Sequence, residues 1–232
     1  MVNRYKEFMD SLHTKEDVKP SRQSKRVYPN PVDEYRGALK IDDKDIIREV
    51  SYNLQYLEFM VALLDSFYLH NVVRQQTTKY FVINAASVIE AILLDYIKGK
   101  GWSENKQIWI TDNTFNSISK EQDGQEKRIS SNIQHLEETK YRISFAELID
   151  MTCNPKSKKY YIHGLGIKKQ YFNNLRSLRN MVHLAGEDPS KSSFHTFNDD
   201  ELNECKRLLH SFLVFKKFCN DGHEDVYNWL TK

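Results

Sequence analysis

Cysteine, glycine and proline are scarce in this chain, and each shortage excludes a class of protein. The 232 residues include three cysteines, Cys153, Cys205 and Cys219. Their uneven spacing and the lack of a CxxC pair exclude a disulfide framework and a cysteine-based zinc site. With only 8 Gly and 5 Pro, few tight turns are expected, which favours a helix-rich body. A reducing cytoplasm is the simplest setting for such a chain.

Long apolar runs and an excess of either charge are also missing. No segment approaches the ~18 apolar residues that a membrane span needs, and residues 1–10 lack the apolar core of a signal peptide. We therefore expect a soluble, cytoplasmic protein without a membrane partner. The 34 basic and 32 acidic residues nearly balance, so any contact with nucleic acid must depend on a local patch.

The chain divides into a polar arm, one domain and a short tail. Residues 1–42 are polar and contain three of the five prolines, and residues 19–26 contain four cations and no acid. We expect a solvated, partly disordered basic arm here, with contact to RNA or to a partner as the alternative. Residues 43–222 are predicted to form the domain, and residues 223–232 a C-terminal tail.

Apolar residues recur at helical spacing over most of the domain. Asp42 or Asp43 is the expected N-cap of a long amphipathic helix. Residues 77–98 are apolar nearly all round and stop at Gly99, which predicts the central, most buried helix. Further helices are predicted over residues 130–140, 144–153, 167–185 and 199–219, and Ser144 and Glu147 have the spacing of a capping box. Residues 100–128 are irregular apart from Ile108-Trp109-Ile110, either a short strand or a packing plug. The predicted fold is an all-α helical bundle.

The helix predicted over residues 167–185 contains the most informative pattern. With 100° per residue, one face carries four polar side chains: Arg176, Arg179, Asn180 and His183. The opposite face carries five apolar ones: Leu175, Leu178, Met181, Val182 and Ala185. We call the four polar residues the Arg–His stripe. It is cationic and titratable, and it has the groups needed to hold and cleave a phosphodiester.

Metal-free cleavage of RNA requires a base, an acid and charge stabilisation of the pentavalent phosphorus. His183 can act as acid or base near neutral pH. Arg176 and Arg179 can each donate two parallel hydrogen bonds to phosphate oxygens. Asn180 can orient the imidazole or bind a phosphate oxygen. The sequence contains no HExxH motif, and its one HxE, His135-Leu136-Glu137, is isolated, so a two-metal nuclease is not expected.

Glu90 is a carboxylate in an apolar stretch of the central helix. An unpaired charge there would be costly, so it must reach a cation, a hydrogen-bond donor or the surface. Arg176 or Arg179 is the expected partner. Such an ion pair either has a purely structural role or holds the arginine side chain in the position that its function requires.

Residues 175–185, together with the earlier segments 144–150 and 85–92, resemble the HEPN superfamily of small all-α domains. Its signature is an arginine, four to six residues and a histidine. Arg176, six residues and His183 fit this signature, with polar Ser177 after the arginine. Arg179-Asn180 resembles the family's Arg-Asn pair, but only three residues separate Arg179 from His183. Which arginine has the catalytic role therefore stays open.

The resemblance implies a metal-independent endoribonuclease, often a toxin or antiviral effector. It also implies a homodimer with one composite site and control by an antitoxin or another regulatory protein. Arg176 and His183 would be catalytic and Arg179, Asn180 and Glu90 supporting, with RNA as substrate and no cofactor or metal. The alternatives are a non-catalytic HEPN-like module that binds RNA, nucleotide or protein, and a helical subunit that serves only in assembly.

The same spacing occurs a second time. Arg128, Asn132 and His135 repeat the intervals of Arg176, Asn180 and His183. This copy lacks the second arginine and the leucine-rich opposite face, and it follows an acidic loop. We therefore predict that it is the solvated start of a helix and not a site.

Overall fold

The described helices are arranged around one central helix. A computed structural model describes residues 30–117, 120–122, 125–181 and 196–231. Its α-helices are α1 (Val32–Ala38), α2 (Lys44–Ser66), α3 (Asn71–Gly99), α4 (Phe145–Cys153), α5 (Lys169–Asn180) and α6 (Asp199–Leu213). Short 3₁₀ turns cover Pro155–Ser157 and Glu224–Leu230. The basic arm predicted over residues 19–26 lies outside the described residues.

Helix α3 is the central helix, as its sequence predicts. It is 29 residues long, and α2, α4, α5 and α6 all contact it. Ile89 and Leu93 on this helix are fully buried. Within the described residues it is the one helix that is long and apolar enough to cross a membrane. Half of its most apolar stretch is buried inside the protein. This burial is typical of the core helix of a soluble protein, and the structure is consistent with a soluble protein.

The all-α prediction is wrong, because part of the chain forms antiparallel β-structure. Strand β1 (Asn105–Asn116) pairs with β4 (Ser130–Lys140), and β2 (Lys120–Gln122) pairs with β3 (Gln125–Lys127). The protein is therefore mixed α and β. Ile108-Trp109-Ile110 was predicted to be either a short strand or a packing plug, and it lies in strand β1. Residues 130–140 were predicted to be a helix and instead form strand β4.

Cross-strand partners explain why residues 130–140 are not helical. Ile133 and Leu136 are three residues apart, a spacing that also suits a helix. In the hairpin, Leu136 lies opposite Trp109 and Ile133 opposite Asn113, with a register shift between Thr111 and Asn113. Pairing with a strand about 20 residues away thus overrides the local pattern. Asn132 and His135, which belong to the second copy of the Arg–His spacing, therefore lie in strand β4. There His135 Nδ1 is 2.7 Å from Asp112 Oδ1 of strand β1.

Two segments assigned to the arm and the tail pack against the domain. Residues 30–42 include α1, whose Tyr35 is fully buried and donates a hydrogen bond from its hydroxyl to Glu58 Oε2 at 2.5 Å. The C-terminal 3₁₀ turn buries Tyr227 and Leu230. Asn30 joins the two segments, because its side-chain amide donates to the carbonyl oxygen of Val226 at 3.3 Å. The folded body therefore extends well beyond residues 43–222.

The predicted capping box at the start of α4 is confirmed. Ser144 Oγ accepts from the Glu147 amide at 3.3 Å, and Glu147 Oε2 accepts from the Ser144 amide at 2.9 Å. The Tyr141 hydroxyl also donates to Glu147. These donors, Tyr141 first and Ser144 next, lower the pKa of Glu147 to about 2. The carboxylate thus connects the base of the hairpin to the helix.

The Glu147 carboxylate predicts a specific loss of stability in acid. Its folded pKa is below its ordinary value of 4.5, so ionised Glu147 stabilises the fold above that value, and the contribution is lost as pH falls toward 2. In urea unfolding at a series of pH values, E147Q should be less stable than the wild type at neutral pH, and the difference should vanish near pH 2. The exposed E138Q serves as control. A difference between wild type and E147Q that does not change with pH would contradict the assignment.

Candidate functional site

Helix α5, which holds most of the Arg–His stripe, is fixed from three sides. Lys169 Nζ lies 2.5 Å from Asp150 Oδ1 of α4, and Asn174 Nδ2 donates to Glu204 Oε1 of α6 at 3.3 Å. The helix also packs on α3. Neighbours on three sides thus determine which way its side chains point.

The described part of α5 is shorter than the predicted helix. It ends at Asn180, with Met181 as C-cap, and the predicted end at Ala185 lies outside the described residues. The predicted catalytic His183 lies outside the described residues, as do Val182, Leu184 and Ala185. The structure therefore places three residues of the Arg–His stripe, namely Arg176, Arg179 and Asn180.

The two arginines share a face with the buried apolar residues of α5. Phe172 and Leu175 are buried, and they precede Arg176 and Arg179 by four residues each, so each pair lies on one side of the helix. Met181, predicted to face the core, is 52% exposed. The structure thus differs from the predicted separation into a polar and an apolar face, because residues before the stripe set the direction of burial.

Arg179 is held in place by the central helix. Its Nη1 donates to Glu90 Oε2 at 2.7 Å, with both side chains largely buried. The guanidinium carbon also lies 5.7 Å from the ring centroid of Phe145 on α4, a cation–π distance. Of the two arginines expected as partners of Glu90, the structure pairs Arg179. Its charge is balanced and its orientation is fixed.

Arg176 is the opposite case. Its side chain is half-buried, and its Nε is fully buried without a hydrogen-bond partner. Within the described part of the chain it makes no ion pair. A buried donor that lacks an acceptor is costly, and nearly all such donors in folded proteins have one. Among the described residues, Arg176 is therefore the arginine of the Arg–His stripe whose charge no acidic side chain balances.

Asn180 completes the described part of the site. It is exposed, four residues after Arg176, so the two side chains are neighbours on the helix surface. Together they offer guanidinium and amide donors to a single anion. Glu90 and Arg179 lie beside them as a neutral pair. The arrangement can bind a phosphate group, whereas acid–base chemistry requires a further residue.

Phe145 is a residue of this site that sequence reasoning missed. It lies inside the correctly predicted helix α4, but no spacing links it to Arg179, and only the packing of α4 against α5 brings them together. Among the described residues, no group of three or more His, Cys, Asp or Glu could hold a metal ion.

Comparisons with known proteins find no relative. No protein-family model matches the chain, and no curated protein or solved structure is significantly similar to it. The resemblance to the HEPN superfamily thus rests on the residues themselves.

The Glu90–Arg179 pair can be tested by a double-mutant cycle. Either single replacement, E90L or R179M, leaves a partly buried charge unpaired and should cost about 1–3 kcal/mol of unfolding free energy. The double variant should cost clearly less than the sum of the two, as urea unfolding can measure. The exposed pair Asp45 and Arg48 is the control, for which coupling near zero is expected. Additive effects at Glu90 and Arg179 would mean that the two residues are not coupled.

Proposed function

We propose that this protein is a metal-independent endoribonuclease of the HEPN type. The observation that supports this best is Arg176, a partly buried guanidinium whose Nε has no acceptor. Such a group fits a phosphate oxygen in position and charge. The resemblance of residues 175–185 to the HEPN signature suggests the reaction at that phosphate, which is cleavage of RNA.

In the proposed reaction the 2′-oxygen of RNA attacks the adjacent phosphorus. A new P–O bond to the 2′-oxygen forms and the bond to the 5′-oxygen breaks, which yields a 2′,3′-cyclic phosphate and a 5′-hydroxyl. His183 removes the 2′-hydroxyl proton or protonates the leaving 5′-oxygen. In a homodimer with a composite site, His183 of each copy can take one of these two roles.

The other residues bind and position the phosphate. Arg176 stabilises the extra negative charge of the phosphorane through its N–H donors. Arg179, fixed by Glu90 at 2.7 Å, supports the site by keeping the face of α5 in register with α3. Asn180 binds a phosphate oxygen or orients His183. RNA is thus the proposed substrate, and no cofactor takes part.

The proposed setting follows from the same resemblance. We place the protein in the cytoplasm, as a toxin or antiviral-defence effector. An antitoxin or another regulatory protein would keep the ribonuclease inactive until it is needed.

A second candidate is a non-catalytic HEPN-like module that binds RNA, a nucleotide or a protein. It is favoured by the ion pair of Arg179, which leaves a single unpaired arginine on α5. One free guanidinium with a neighbouring amide is sufficient to bind an anion. It is not sufficient for catalysis.

Cleavage of single-stranded RNA in the presence of EDTA tests the proposal. Purified protein should produce 2′,3′-cyclic phosphate ends, and H183A and R176A should each lower the rate by about 10²-fold or more. The second Arg–His spacing provides matched controls, since R128A and H135A should cleave as the wild type does. Cleavage that survives H183A, or that requires Mg²⁺, would contradict the mechanism. Binding that is lost in R176A without any cleavage would favour the non-catalytic module.

A further inference from the structure

Helix α2 presents a row of large apolar side chains to solvent. Tyr52, Tyr56 and Phe59 are 54%, 49% and 44% exposed, and Leu63 continues the row half-buried. The rings of Tyr56 and Phe59 stack with their centroids 6.5 Å apart. We call these four residues the aromatic stripe. Contiguous apolar surface of this kind is characteristic of binding sites.

The spacing of the aromatic stripe is that of a helix-packing seam. Its members are four, three and four residues apart, an average close to 3.5. This is the repeat with which one α-helix packs against another as knobs into holes. The stripe therefore has the pattern of a surface that a second helix covers.

At one end of the aromatic stripe, the Arg36 guanidinium of α1 lies 5.7 Å from the Tyr52 ring centroid, whereas the rings of Tyr56 and Phe59 stay exposed. Among the described elements, α2 contacts α1, α3 and the C-terminal 3₁₀ turn. It does not contact α5, so a dimer formed through the Arg–His stripe would not by itself bury the aromatic stripe. The proposed function leaves this surface unexplained.

The charges beside the stripe argue against nucleic acid as the ligand. Arg36 lies 3.1 Å from Asp33, and Arg48 lies 3.0 Å from Asp45, so both neighbouring cations are balanced. Aromatic platforms that stack nucleic-acid bases usually lie in positively charged grooves, which attract the phosphates. Among the described residues, the cation over the stripe, Arg36 on the Tyr52 ring, is itself paired with Asp33 and adds no net charge. Its chemistry suits an apolar polypeptide face.

The N-terminal 29 residues meet the domain next to this surface. The amide of Asn30 donates to Glu58 Oε2 at 2.8 Å, and Gln55 Nε2 donates to the carbonyl oxygen of Asn30 at 3.0 Å. Gln55 and Glu58 directly precede Tyr56 and Phe59 in α2. Residues 1–29 are therefore tethered beside the middle of the aromatic stripe, which gives them a high effective concentration there.

The start of the chain contains a matching pattern. Val2, Tyr5, Met9 and Leu12 are three, four and three residues apart, whereas the stripe has intervals of four, three and four. As a helix, residues 2–12 would extend ~15 Å, close to the ~16 Å from Tyr52 to Leu63. Residues 13–29 can span ~55 Å when extended, so the tether is long enough. We propose that residues 2–12 bind the aromatic stripe of their own chain as an amphipathic helix.

Hydrogen exchange of the full-length chain tests this proposal. Backbone amides within residues 2–12 should exchange about tenfold more slowly than those of an unstructured segment. F59D and Y56S should each remove this protection while the amides of the central helix α3 stay protected. Tyr80 on α3 is 52% exposed and lies outside the stripe, so Y80D should leave the protection intact.

The reciprocal variant and the concentration dependence complete the test. Y5D in the arm should increase exchange in α2 around Tyr56 and Phe59. The protection should be the same over a wide range of protein concentration, since the contact is within one chain. Unprotected exchange of residues 2–12 in the wild type would overturn the proposal. So would protection that disappears on dilution, which would assign the aromatic stripe to a second copy of the chain.

Discussion

Burial of α3 is the constraint on which the rest of the structure depends. This helix has apolar side chains on several faces, and α2, α4, α5 and α6 bury most of those between Phe81 and Ile97. Their own apolar faces are satisfied by the same contacts. Phe172 of α5 and Phe212 of α6, for example, meet edge to face with centroids 5.9 Å apart. Strands β1 and β4 lie outside this core, and the hairpin is connected to it at its base, where Tyr141 donates to Glu147 of α4.

A single carboxylate on α3 links this packing to the candidate site. Glu90 is largely buried and is paired with Arg179 at 2.7 Å, so α5 is fixed in rotation as well as in position. That rotation also turns Arg176 toward the protein, where its Nε is buried without an acceptor. The two arginines thus have different roles. Arg179 is a structural partner, and Arg176 is the cation that remains for a ligand.

Local signals predicted the parts of the fold that depend on local interactions. Asp43 is the N-cap of α2, since its carboxylate accepts from the amides of Asp45 and Ile46, and Ser144 with Glu147 forms the expected capping box. The hairpin was mispredicted, because its pairing depends on residues distant in sequence. The pairing of Glu90 with an arginine was foreseen from the cost of burying a charge. Which arginine it is depends on Phe172 and Leu175, which lie outside the motif.

The most direct measurement is the NMR signal of the Arg176 Nε–Hε group during titration with a non-cleavable RNA analogue. If Arg176 is the unpaired cation of the site, its signal should shift and its exchange with water should slow as the ligand binds. The Nη1–H signal of Arg179 should already be protected in the free protein, because that group donates to Glu90. An Arg176 signal that does not respond to bound RNA analogue would contradict the assignment of α5 as the phosphate-binding helix.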